Sequence, residues 1–115
     1  MLPRENRLKQ KSDFERVKRK GTLFNKGPVG LAVYKRGDSK ATRVGIVVSL
    51  KVSKKAVERN KVKRMIRECV RKRLKTLRNG FDVVILTKTS IIDKDSRALD
   101  MTIENLFERA ELRVK

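Results

Sequence analysis

The 115-residue chain has no histidine, no tryptophan, one cysteine and one tyrosine. Without histidine there is no imidazole base, no histidine-containing triad and no histidine-ligated zinc. An enzyme acting alone would have only carboxylates, Lys, Tyr or the single Cys to work with. Cys69 has no internal disulfide partner, which suits a reducing cytoplasm. No apolar run approaches the roughly 18 residues of a membrane span. Met1 to Arg7 carries basic residues with no apolar stretch behind them, so no signal peptide is expected. Acid is also scarce: Asp and Glu number 13 against 32 Lys and Arg, a formal charge of +19.

What is present is enough for one core. Hydrophobic residues make up 38% of the chain, which argues against wholesale disorder, and the length fits a single domain over residues 1–115. The positive charge is concentrated. Residues 51–79 hold 13 basic and 2 acidic residues, whereas residues 80–115 hold 6 basic and 7 acidic. Like charges so crowded repel one another, and a polyanion that releases its counterions on binding offsets that repulsion. The charge therefore points to nucleic acid, not to a membrane or a small-molecule substrate.

The patterning predicts an α+β chain. Ser12 reads as the N-cap of a short helix, with Glu15 completing a capping box and Gly21 ending it. Val29–Tyr34 reads as a strand with Val29, Leu31 and Val33 on one face. Arg36-Gly37-Asp38-Ser39 supplies a turn, and Thr42–Ser49 is a second strand, so a hairpin is expected. From about Lys54 to Leu77, apolar residues recur at helical spacing: Val62, Met65, Ile66, Cys69, Val70, Leu74 and Leu77. Cys69 lies within that stripe and reads as a core residue. Asn79-Gly80 would end the helix, Gly80 taking a left-handed cap. Phe81–Thr87 is a continuous apolar run, expected to be buried on both faces. A last helix begins between Asp93 and Ser96, with Leu99, Ile103, Leu106, Phe107 and Ala110 covering the sheet.

The side of the long helix opposite its apolar stripe carries Asn60, Lys63, Arg64, Arg67 and Arg71, a cationic row about one turn apart. Arginine forks pair bidentately with phosphate. Lys54 and Lys55 stand at the helix start, and Arg59 lies near the edge of the apolar stripe. Only Glu58 and Glu68 are available to neutralise the row internally, Glu68–Lys72 being the clearest pair. Spacing alone leaves DNA and RNA both open.

Arg59-Asn60-Lys61-Val62-Lys63-Arg64-Met65-Ile66-Arg67 resembles the Arg-Asn signature helix of the bacterial ribonuclease P protein family. Three further segments match in order and spacing: Asp13-Phe14 through Lys20-Gly21, Arg43-Val44-Gly45-Ile46-Val47-Val48-Ser49, and Gly80-Phe81-Asp82-Val83-Val84-Ile85. The resemblance implies a non-catalytic protein subunit of a ribonucleoprotein that removes the 5′ leader from precursor tRNA. Its RNA is the catalyst and uses Mg²⁺ to activate water. The implied fold is a two-layer α/β sandwich, with helices on a small central sheet, a ribosomal-protein-like domain and a left-handed βαβ crossover. Arg59, Asn60, Lys61, Lys63, Arg64, Arg67 and Arg71 would dock one protein on one ribonuclease P RNA. Phe14, Lys18, Tyr34, Ser49 and Lys51 would line a cleft for the single-stranded leader.

The chain departs from the family in that cleft. Lys18 stands where a second helix aromatic is usual, and Val29 and Ala32 stand where strand aromatics are usual. Leu50 and Ser53 replace a Lys and a Gly before the signature helix. These changes predict a cleft that relies more on charge than on stacking. Three other readings remain open. One is a ribosomal-type RNA-binding protein outside any nuclease complex. Another is a DNA-reading helix. The last is a free-standing metal nuclease built on Asp82, Asp93 or Asp95.

Overall fold

The chain runs from helix α1 (Lys11–Lys20) into strands β1 (Thr22–Lys26), β2 (Val29–Lys35) and β3 (Arg43–Val48). Helix α2 (Ala56–Arg71), strand β4 (Phe81–Thr87) and helix α3 (Ser96–Arg109) follow. The computed structural model describes residues 2–87 and 96–114, so Asp93 and Asp95 lie outside the described residues. The four strands form one sheet in the order β1-β2-β4-β3. β4 runs antiparallel to β2 and parallel to β3, and α2 makes the crossover between the two parallel strands.

The expected hairpin between β2 and β3 is therefore not formed. β4 lies between them, and its composition explains why. Phe81, Val83, Val84 and Ile85 are all buried, and only a central strand can bury apolar residues on both of its faces. The hairpin that does form joins β1 to β2 through Gly27-Pro28, with Lys26 opposite Val29. β1 carried no alternation to reveal it, because it is an edge strand exposed on both faces except at Phe24.

Alternation sets the two faces of the sheet. Val29, Leu31, Val33, Val44, Val48, Val83 and Ile85 point to one side, where Ile66, Val70, Leu99, Ile103, Leu106 and Phe107 of α2 and α3 complete the main core. Ala32 and Val84 point to the other side, where Val17 of α1 and Leu8 of the N-terminal segment meet them. The sandwich of sheet and paired helices thus carries a short helix on its reverse face. The N-terminal segment runs along the outer edge of β3: Leu8 N donates to the Val44 carbonyl (3.2 Å), and Asn6 Nδ2 to the Thr42 carbonyl (2.9 Å). That covers a strand edge otherwise open to a second chain.

Two helix ends differ from expectation. α1 starts at Lys11 with Gln10 as its N-cap, and Ser12 makes no capping hydrogen bond. Asp13 holds the first turn instead, paired with Arg16 (3.1 Å) and with Arg43 of β3 (3.4 Å). α2 stops at Arg71, short of Leu77, and a single 3-10 turn follows at Leu74–Thr76. Arg73 ends it: its backbone N–H shifts to the Val70 carbonyl (2.9 Å), while its side-chain Nη1 takes the Cys69 carbonyl (2.8 Å). Satisfying that carbonyl from a side chain lets the helix close. Gly80 does have a left-handed backbone (φ 92°), but it introduces β4 and does not cap α2. A Cβ there would collide with the Asp38 carbonyl.

Candidate nucleic-acid interface

Many cations in this chain are engaged by the protein itself. Asp82, fully buried in β4, receives Arg36 Nη1 (2.6 Å) and both Arg43 Nε (2.8 Å) and Nη2 (2.7 Å). Arg36 also donates to Asp38 and to the carbonyls of Lys40 and Ala41. Arg73 pairs with Asp100 (2.7 Å) and Glu104 across the α2–α3 seam, and Arg113 joins Glu104 and Glu108. Asp82 is therefore an anchor for two arginines. Among the described residues, no three His, Cys, Asp or Glu side chains come together as a metal site.

The signature helix is different. Asn60, Lys61 and Arg64 are exposed and Lys63 and Arg67 half-buried, and among the described residues none of the four cations has a carboxylate partner. The buried stripe of Val62, Ile66, Cys69 and Val70 faces the core and holds the opposite face outward. Arg59 is half-buried and bends back so that Nη1 donates to the Ser53 carbonyl (2.8 Å). This leaves part of its fork outward and ties the preceding loop to the helix. Arg71 stands apart from the others: Glu68 engages it through Nε (3.1 Å) and Nη2. That pairing replaces the expected Glu68–Lys72 pair, and Lys72 instead lies 4.0 Å from Asp100.

Cys69 is buried against α3, and desolvation with a hydrogen bond to Asp100 pushes its thiol up to about 11. It stays protonated at neutral pH and is a poor nucleophile.

The five residues expected at the leader cleft fall in four places. Phe14 is half-buried, and its ring lies so close to Gly45 that a Cβ there would collide with it. The ring forms one wall of a cavity of about 280 Å³ that Arg7, Lys9, Lys63 and Arg67 also line. Tyr34 packs against the reverse-face core and lines a separate cavity of about 390 Å³ with Lys20, Lys35 and Phe24. Lys18 is exposed in the last turn of α1, beside Arg19 and Lys20. Ser49 and Lys51 sit in the turn after β3, where Lys51 N donates to Ser49 Oγ (2.9 Å). The fold thus brings Phe14 to Lys63 and Arg67 of the signature helix, and Ser49 and Lys51 are not among the residues lining that cavity. Arg7 and Lys9 join that cavity unforeseen. Their only sequence signal was the basic character of the N-terminal segment.

The chemistry of this cavity is an aromatic wall beside guanidinium and ammonium groups. That combination takes a base against the ring and a phosphate on the cations. Beyond it, α2 presents further exposed cations, Lys61 and Arg64, with no carboxylate partner among the described residues.

A family model described as Ribonuclease P matches residues 2–111. A ribonuclease P protein component from a Pseudanabaena species is 35% identical over 112 residues, covering 97% of each chain. One from Clostridium acetobutylicum is 40% identical over 110 residues, covering 95% of this chain and 92% of that one. Among solved structures, the RNase P protein of Staphylococcus aureus superposes with a TM-score of 0.86 at 25% identity, covering 94% of this chain and 97% of that chain. That of Thermotoga maritima superposes with a TM-score of 0.80 at 29% identity, covering 90% and 96%.

Proposed function

The chain belongs to the bacterial ribonuclease P protein family, and from that premise we propose that it assists a catalytic RNA in removing the 5′ leader of precursor tRNA. The observation that carries this reading is the contrast between engaged and free cations. Arg36, Arg43 and Arg73 are paired within the fold, whereas Lys61, Lys63, Arg64 and Arg67 of α2 have no carboxylate partner among the described residues. Unpaired cations held in a row by a buried stripe are what docking on an RNA backbone requires.

In this reading α2 docks on the ribonuclease P RNA through Arg59, Asn60, Lys61, Lys63, Arg64 and Arg67. Arg71 contributes less, since RNA must compete with Glu68 for it. The leader of the precursor tRNA enters beside Phe14, with Lys18 and Tyr34 further along the reverse face. Ser49 and Lys51 form the rim after β3. Mg²⁺, which activates water at the scissile phosphate, belongs to the RNA subunit. One protein serves one RNA, and the site of action is the cytoplasm. Among the described residues no helix is long and apolar enough to cross a membrane.

The test is reconstitution with a bacterial ribonuclease P RNA and precursor tRNA, at a Mg²⁺ concentration too low for the RNA alone. Strong stimulation of 5′ cleavage, lost in the Arg64→Ala, Arg67→Ala double variant, is the expected result. RNA binding without stimulation would leave a ribosomal-type RNA-binding protein.

A further inference from the structure

The signature helix is flanked by two grooves. Lys63 and Arg67 turn toward Phe14 and the N-terminal segment. Arg64 and Lys72 turn the other way, into a groove of about 550 Å³ between α2 and the start of α3, which Arg97 also lines. Two acids line this groove, Glu68 and Asp100, but both are engaged: Glu68 by Arg71, and Asp100 by Arg73 through Nη1 (2.7 Å) and Nη2 (3.0 Å). Lys72 only approaches Asp100, at 4.0 Å. Arg64 and Arg97 make no hydrogen bond or ion pair among the described residues, and both are exposed.

We propose that the α2–α3 groove is a second contact for the backbone of the RNA subunit, with Arg97 and Lys72 as phosphate-binding residues beside Arg64. This rests on the reading that α2 docks on that RNA, and extends it past the signature motif onto a second helix. Two arguments carry it. The groove is continuous with the docking face, because Arg64 belongs to both. Its charge is complementary to RNA, because Glu68 and Asp100 are already engaged by Arg71 and Arg73 while Arg64 and Arg97 have no carboxylate partner among the described residues. A strand crossing α2 would then be held from both sides, by Lys63 and Arg67 on one and by Arg64, Lys72 and Arg97 on the other.

The experiment measures binding of the full chain to the RNA subunit at several salt concentrations, for the wild type and for Lys72→Ala, Arg97→Ala and the double variant. Arg67→Ala is the positive control. Lys26→Ala, on β1, controls for the loss of one surface charge. The double variant is expected to lose affinity by about tenfold, and the slope of log affinity against log salt to flatten by about one for each contact removed. Arg97→Lys should retain most of the affinity. Wild-type affinity in the double variant, with Arg67→Ala weakened, would overturn the groove while leaving the docking helix in place. Intact RNA-subunit affinity with weakened precursor-tRNA affinity would overturn the choice of RNA. If Arg67→Ala also binds normally, the docking reading itself fails and the groove with it.

Discussion

Asp82 shows what a single carboxylate does in a chain so rich in positive charge. Its side chain is fully buried yet accepts hydrogen bonds from two arginines, Arg36 from the end of β2 and Arg43 at the start of β3. It fastens the two strands that flank β4 at the same end of the sheet. Removing one partner of a buried pair leaves the others desolvated without compensation. Asp82→Asn is therefore expected to lower stability by about 3 kcal/mol, read as a shift in the urea unfolding midpoint. At this scale the sequence is least informative. Arg36 and Arg43 look no different in sequence from Arg64 and Arg67, and whether an arginine is engaged or free depends on a carboxylate 39 or 46 residues away. The placement of Phe14 beside Lys63 and Arg67 is hidden for the same reason. Its close seat on Gly45 depends on a sheet register that no local pattern encodes.

Among the elements, those with a strong period were legible. Both faces of β2, the two-sided burial of β4 and the buried stripe of α2 follow from the spacing of apolar residues. Elements without a period were missed or mis-joined: β1 is an exposed edge, and the pairing of β2 with β3 was assumed from their adjacency in the chain. The end of α2 was set by a tertiary contact, Arg73 reaching Asp100 and Glu104. That seam carries a pH signature. The Arg73 guanidinium holds the Asp100 carboxyl at about 2, below its ordinary 3.8. The folded state therefore favours the carboxylate, and the seam contributes its full stability above about pH 4. That contribution falls away between pH 4 and pH 2 as Asp100 takes up its proton. The unfolding midpoint of the wild type should exceed that of Asp100→Asn at pH 6, and the gap should close through this window.

Over the whole molecule, a charge of +19 sits on a body with a radius of gyration of 13.2 Å. With a Debye length of about 10 Å at 0.1 M salt, each charge feels its near neighbours, and in so basic a chain most of those are of like sign. The fold carries that repulsion unless an anion relieves it, so sulfate or phosphate should raise the melting temperature beyond what chloride does at equal ionic strength. A melting temperature unchanged from low to high sulfate would contradict this.

The position of β4 also governs when the molecule can come into being. Lys35 must wait for Phe81, and Val29 for Thr87, before the sheet acquires its centre. As the chain leaves the ribosome, the β1–β2 hairpin can close at once, but β3 has no strand to join until everything through β4 has been made. Contacts this distant in sequence are slow to close. The nascent chain therefore displays the cationic helix before it owns a finished core, and a chain cut anywhere before Phe81 loses the middle of its sheet, not an edge.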